Sequence, residues 1–157
     1  MSVLPKLYNL GGWILSKKIF TNGCFDILHP GHMKLLKFCK SLGYVVVGLN
    51  SDSSVVENKG PTRPFFSQEE RKFMLESCRY VNEVIVFYEK TPYSLIKQIK
   101  PDIIVKGGDY KIEEVVGDSL AEVKIFNYIN GFSTTEILEN KKKWHMFLIL
   151  MELFVLS

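Results

Sequence analysis

Two histidines three residues apart bracket Pro30-Gly31 in the stretch Phe20-Thr21-Asn22-Gly23-Cys24-Phe25-Asp26-Ile27-Leu28-His29-Pro30-Gly31-His32. A helix opened by Pro30 and Gly31 leaves its first amide N–H groups unpaired. Those donors, at the positive end of the helix dipole, make a seat for phosphate. His29 and His32 share that first turn, so both side chains can face a bound anion. An imidazole with an ordinary pKa of about 6.5 takes up a proton readily beside a polyphosphate. The chemistry suggested is phosphoryl or nucleotidyl transfer. Two plainer uses of the pair compete on local evidence, binding a metal ion and capping the helix. Cys24 lies in the same turn; no histidine-plus-acid arrangement marks it as a nucleophile, and a small packed thiol is the simpler assignment.

Three other stretches carry polar chemistry. Lys59 and Arg63 flank Gly60 and Pro61, in a polar run from Glu57 to Phe66 that reads as a loop. Two cations on such a loop are placed to fold over a phosphate chain, although solvated surface charge explains them equally well. In Lys106-Gly107-Gly108-Asp109-Tyr110, paired glycines let backbone approach a ligand closely, and Asp109 can accept hydrogen bonds from a ribose or sugar hydroxyl. A tight loop is the plain alternative. In Asn130-Gly131-Phe132-Ser133-Thr134-Thr135-Glu136 three hydroxyls stand at a helix start, suited to capping it or to the outer phosphates of a nucleotide.

The elements between these stretches alternate. Lys18–Thr21 reads as a first strand and residues 31–41 as an amphipathic helix with Leu35, Leu36, Phe38 and Cys39 inward, ended by Gly43. Tyr44–Asn50 is a continuous apolar run, as for a strand covered on both faces. Ser51-Asp52-Ser53 offers capping oxygens. Ser67 and Glu70 form a capping box for a helix to about Cys78. Glu83–Phe87 is a strand. Thr91 as N-cap and Pro92 at the first position begin a helix to Ile99. Strands at Ile103–Val105 and Val123–Tyr128 follow, then a final helix from Ser133. Strand alternating with helix implies an α/β fold with a doubly wound parallel sheet, whose ligands sit beyond the carboxyl ends of the strands. Residues 1–17 read as a lead-in segment, 18–140 as one domain and 141–157 as an apolar tail.

The chain has 157 residues, 46% of them hydrophobic, enough for one domain with a proper core and too apolar for disorder. A net charge of +3 argues against a general nucleic-acid binder. Cys24, Cys39 and Cys78 lack metal-binding spacing and point to a reduced, cytoplasmic chain. The first residues do not form a convincing secretory leader, and Trp144–Leu156, interrupted by Glu152, is too short to span a bilayer. The expectation for that tail is docking onto protein.

Taken together and in order, these motifs resemble the cytidylyltransferase-like nucleotidyltransferases over about residues 17–140. The pieces that carry the resemblance are Thr21–Asp26 with His29-Pro30-Gly31-His32, Lys59 and Arg63, Val105–Tyr110, and Gly131–Thr135. Within that group the chain is most similar to the heptose 1-phosphate adenylyltransferases, including the C-terminal domain of bifunctional ADP-heptose synthesis enzymes. The resemblance implies a Rossmann-like domain of the His-x-Gly-His type that joins ATP to heptose 1-phosphate and releases pyrophosphate. Mg²⁺ is expected with the nucleotide. It implies catalytic roles for His29, His32, Lys59 and Arg63. Nucleotide contacts are expected from Asn22, Gly23, Cys24, Phe25, Gly31, Gly107, Gly108, Asp109, Ser133, Thr134 and Thr135. Asp26 and Lys106 are expected on the acceptor side, with support of the turn as a second role for Asp26. Arg71 matches a further family position with a structural role. A homodimer and a separate sugar kinase upstream complete the expectation, with neither nucleic acid nor a membrane span.

The branch within the family is read from departures. Cytidylyltransferases of this group carry Arg-Thr-x-Gly-Ile-Ser-Thr before the last helix, and here Tyr128 stands at the arginine position. Glycerol-phosphate enzymes tend to have Gly-Asp-Asp where this chain has Gly107-Gly108-Asp109. Against these, Arg79-Tyr80-Val81-Asn82-Glu83-Val84 resembles a cytidylyl-branch motif. ATP with heptose 1-phosphate is therefore favoured, with CTP and glycerol 3-phosphate as runner-up. A non-catalytic nucleotide-binding module is the alternative of another class. The stretch between Gly117 and Val123 is shorter than the heptose enzymes usually have, and the tail after Lys143 has no counterpart in them.

Overall fold

Five strands pair in parallel, and the strongest reason lies in their own sequences: each is short, holds branched apolar residues and has a helix or turn segment before the next. The computed structural model describes residues 16–108 and 110–127. In chain order the elements are β1 (Lys18–Gly23), α1 (Pro30–Leu42), β2 (Tyr44–Asn50), α2 (Asp52–Lys59), α3 (Gln68–Glu76), β3 (Glu83–Phe87), α4 (Tyr93–Ile99), β4 (Ile103–Gly107) and β5 (Glu122–Phe126). The sheet order is β3-β2-β1-β4-β5, so the winding reverses between β1 and β4. This is an α/β, Rossmann-like arrangement.

Alternation along each strand divides the core into two. Ile19, Val45, Val47, Leu49, Ile103 and Val105 face α1 and α3, meeting Leu35, Leu36, Cys39 and Leu75. Phe20, Val46 and Ile104 face the opposite side, with Leu95 and Ile96 of α4. Gly48 has no side chain because Phe20 occupies the space: a Cβ there would lie 2.7 Å from the Phe20 ring. Gly43 ends α1, its N–H donating to the Cys39 carbonyl, at a point where a Cβ would meet the Lys17 carbonyl oxygen.

Several boundaries differ from the sequence expectation. β1 runs on through Asn22 and Gly23, so these motif residues belong to the strand end. Lys59 is the last residue of α2 rather than part of a loop; Ser51 caps that helix by accepting from the Ser54 N–H, and a capped start carries it through the polar Glu57-Asn58-Lys59. Thr91 is not an N-cap: α4 starts at Tyr93, with Pro92 preceding it and no capping side chain. β5 occupies Glu122–Phe126 rather than Val123–Tyr128, because its register is set by β4 from Ile103↔Glu122 to Gly107↔Phe126. The expected capping box is present, with Ser67 Oγ accepting from the Glu70 N–H and the Glu70 carboxylate accepting from the Ser67 N–H. The lead-in residues 1–15, Asp109, Tyr128, the hydroxyl turn Ser133–Thr135, the final helix and the apolar tail lie outside the described residues.

Candidate active site

Motif residues from β1, α1 and β4 converge where the winding reverses. β1 keeps pace with β2 to Gly23↔Leu49, and β4 keeps pace with β5 to Gly107↔Phe126. Between β1 and β4, however, registered pairing covers only Ile19↔Ile103 and Phe20↔Ile104. The two central strands therefore part at their carboxyl ends, as expected of a ligand crevice at a switch point. A cavity of about 160 Å³ fills the gap. Asn22, Gly23 and Phe25 line it from β1 and its turn, Gly31 and His32 from the start of α1, and Lys106, Gly107 and Tyr110 from the end of β4. Leu35 and Phe126 close its apolar side. A larger open groove of about 410 Å³ runs beside β3, between Gln68, Lys72 and Tyr88, and holds none of the candidate catalytic or binding residues.

His29 stands at the N-cap position of α1 but makes no capping hydrogen bond through its side chain, which removes the plainest explanation for it. Its ring stacks on His32 with centroids 3.7 Å apart and planes 26° from parallel, and Phe25 packs on the other side of His32 at 4.9 Å. The Nδ1 atoms of both histidines are buried and have no hydrogen-bond partner among the described residues. Burial and the neighbouring His29 push His32 down to about 3, partly opposed by the Ile27 carbonyl, and burial lowers His29 as well. Without a ligand both imidazoles are thus neutral at pH 7. Buried polar atoms left unpaired are costly, and an anion arriving at this turn supplies both the partner and the charge that restores a proton.

Side chains from the following elements clamp the turn that leads to the histidines. Phe25 has φ +45°, a left-handed conformation that strains a residue with a Cβ. Arg71, completely buried on α3, holds it there: its guanidinium donates to the Cys24 carbonyl at 2.6 Å, the Phe66 carbonyl at 3.0 Å and Asp52 Oδ1 at 2.7 Å. Asp26, also buried, accepts from the Phe65 and Phe66 N–H groups through Oδ1 and from Arg63 Nε through Oδ2. Of the two roles expected for Asp26, support of the turn is the one these contacts display. Burial raises the Cys24 thiol despite Lys59, Arg71 and Arg63 nearby, which suits a packed thiol and not a nucleophile.

On the other wall Lys106 Nζ donates to Asn22 Oδ1 at 3.4 Å, the one side-chain link across the parted strands among the described residues, and lies 5.4 Å from the Tyr110 ring centroid. Burial lowers its pKa, and Lys59 lowers it further. Gly108 follows with φ +122°, its N–H donating to the Phe126 carbonyl.

Of the residues singled out by sequence, Asn22, Gly23, Phe25, Gly31, His32, Lys106 and Gly107 line one cavity. His29 stacks against it, and Cys24, Asp26 and Arg63 form the adjoining turn and loop. Lys59 acts on Cys24 and Lys106 through its charge. Asp109, Ser133, Thr134 and Thr135 lie outside the described residues. Sequence reasoning did not single out Leu35 or Phe126 as cavity walls, and it left the three-way clamp of Arg71 unseen. A signal for the latter exists: Arg71 lies one turn before buried Leu75 on the apolar stripe of α3, where a cation needs partners. Among the described residues no group of three or more His, Cys, Asp or Glu side chains is arranged to hold a metal ion, and no helix is long and apolar enough to cross a membrane.

Known proteins share both sequence and fold with this chain. The model of the family described as cytidylyltransferase-like matches residues 20–143. A protein of Aliarcobacter butzleri named bifunctional protein HldE is 50% identical over 143 residues, a match covering 87% of this chain and 29% of that one. The protein of the same name from Nitratiruptor is 53% identical over 126 residues, covering 79% and 27%. The chain thus spans less than a third of the length of these curated relatives. Among solved structures, the lipopolysaccharide core biosynthesis protein from Thermoplasma volcanium superposes with a TM-score of 0.60 at 30% identity, covering 74% of this chain and 98% of that one.

Proposed function

The chain belongs to the cytidylyltransferase-like family, and on that premise we propose that it joins ATP to heptose 1-phosphate, giving ADP-heptose and pyrophosphate. An oxygen of the acceptor phosphate attacks the α-phosphorus, the bond to the bridging oxygen of the β-phosphate breaks, and pyrophosphate leaves with that electron pair. The nucleophile is already anionic, so the site needs neither a strong base nor a covalent intermediate. Its task is to align two repelling anions and to stabilise the charge that grows as the bond to pyrophosphate breaks. The observation that carries this reading is the stacked pair His29 and His32, whose buried Nδ1 atoms have no partner among the described residues, at the start of α1 beside the parted ends of β1 and β4. In the proposal both imidazoles engage the triphosphate, and backbone from Asn22 to Phe25 and at Gly31 lines the same phosphates. Lys59 and Arg63 steady the acceptor phosphate and the departing pyrophosphate. Gly107, Gly108 and Asp109 lie by the nucleoside, Lys106 by the acceptor, and Ser133, Thr134 and Thr135 by the outer phosphates.

In the proposal Mg²⁺ comes with the nucleotide substrate, and both oxygens of Asp26 are engaged by Arg63 and by the Phe65 and Phe66 N–H groups. The choice of ATP and a heptose phosphate rests on the HldE relatives at about half identity and on Tyr128 and Gly107-Gly108-Asp109 in place of the cytidylyl-branch residues. The proposal includes a cytoplasmic homodimer and a separate sugar kinase activity that supplies the 1-phosphate. The test is pyrophosphate release across ATP or CTP paired with heptose 1-phosphate or glycerol 3-phosphate. Release with ATP and the heptose is expected. Turnover confined to CTP and glycerol 3-phosphate assigns the chain to the other branch, and nucleotide binding without turnover on any pair leaves a binding module.

A further inference from the structure

Among the described residues, Arg63 is tethered by its inner nitrogen only. Its Nε donates to Asp26 Oδ2 at 2.6 Å, while neither terminal nitrogen has a hydrogen-bond partner among the described residues. The side chain of Asp26 is 1% exposed and that of Arg63 20%, so the carboxylate is enclosed while the arginine side chain keeps some exposure. The other oxygen of Asp26 takes the N–H groups of Phe65 at 2.7 Å and Phe66 at 3.0 Å, and Arg71 holds the Phe66 carbonyl and the Cys24 carbonyl together. One carboxylate therefore fixes both the loop that carries Arg63 and the direction of its side chain, relative to the turn that leads to His29.

We propose that Asp26 is a positioning residue for the transfer step: it anchors Arg63 through Nε so that the two terminal N–H groups meet a phosphoryl oxygen as a preset pair. This rests on the reading of the site as a nucleotidyltransferase centre. A guanidinium recognises phosphate best through paired N–H groups, and holding its stem beforehand removes the disorder that otherwise weakens such a contact. Asp26 itself touches no substrate; its effect travels through Arg63.

The experiment is a double-mutant cycle on pyrophosphate release, with melting temperatures alongside and added guanidinium ion as a rescue agent. Asp26→Asn lowers kcat/KM about thirtyfold and Arg63→Ala about a hundredfold, while the double variant falls no further than Arg63→Ala. Millimolar guanidinium restores part of the activity of Arg63→Ala but none in the double variant, because the carboxylate that seats the ion is gone. Asp26→Glu, which keeps the charge but displaces it, takes the place of Asp26→Asn if that variant does not fold, with the same coupled loss expected. Losses that multiply, or rescue that ignores residue 26, reduce Asp26 to a structural staple and overturn the proposal. A wild-type protein that releases no pyrophosphate from any substrate pair refutes the transferase reading instead, so the two failures are distinguishable.

Discussion

The turns after β1 and β4 face each other across the same cleft and are built on opposite principles. The first is clamped: a left-handed Phe25, the Cys24 carbonyl held by buried Arg71, and Asp26 with both oxygens engaged. The second relies on glycine, with Gly107 against Leu35, Gly108 at positive φ, and, among the described residues, only the 3.4 Å contact from Lys106 to Asn22 reaching across. Electrostatic stabilisation of a transition state requires groups fixed before the substrate arrives, whereas admitting a nucleoside or a sugar requires room for backbone to approach. In the proposed reaction the first turn would serve the former demand and the second the latter.

The comparison breaks most readily at the histidines. Replacing His29 or His32 by Ala is expected to lower kcat a hundredfold or more, about 3 kcal/mol of transition-state stabilisation, with little change in melting temperature. A loss under tenfold would move the chemistry away from the first turn. Next comes Arg71→Ala, which strands two carbonyls and should lower unfolding free energy by about 2 kcal/mol, read from urea denaturation. Gly108→Ala, in the second turn, should cost about 1 kcal/mol, since the new side chain must tolerate φ +122° and the Tyr110 ring 3.1 Å away. Equal costs for these last two would erase the contrast between clamped and pliant turns.

The dependence on pH tests how far the stacked pair in the first turn is enclosed. His32 is held at about 3 in the folded protein and titrates near 6.5 when unfolded. The unfolded state therefore binds the extra proton as pH falls below about 6.5, and stability that is intact above that value declines towards pH 3. Wild type should lose up to about 1.4 kcal/mol per pH unit relative to His32→Gln across this window, measured by denaturation at each pH. Parallel curves for the two proteins would show that the stacked pair is not enclosed.

Much of this was legible in the residues themselves. β2 could be read to the residue because an inner parallel strand is an unbroken apolar run, β3, at the sheet edge, because Val84–Phe87 is a branched apolar run, and the Ser67–Glu70 capping box marked the start of α3. The phosphate-seat pattern at Pro30-Gly31 drew attention to the cavity that the parted strands enclose. What stayed hidden depends on distance along the chain. Asp26 meets Phe65, and Arg71 meets Cys24, only after the fold brings four segments together, and no local period announces such pairs. Lys59 looked like loop because polar residues at a helix end resemble a turn, and Thr91 looked like a cap because propensity cannot see where α4 must meet the sheet.

The most direct measurement is a crystal structure with an ATP analogue whose α,β-bridging oxygen is replaced by methylene. The account predicts the polyphosphate at the start of α1, with His29 and His32 in hydrogen-bond contact and Phe25 still left-handed. Phosphates seated elsewhere, such as along the groove beside β3, with both imidazoles unpaired as before, would contradict it.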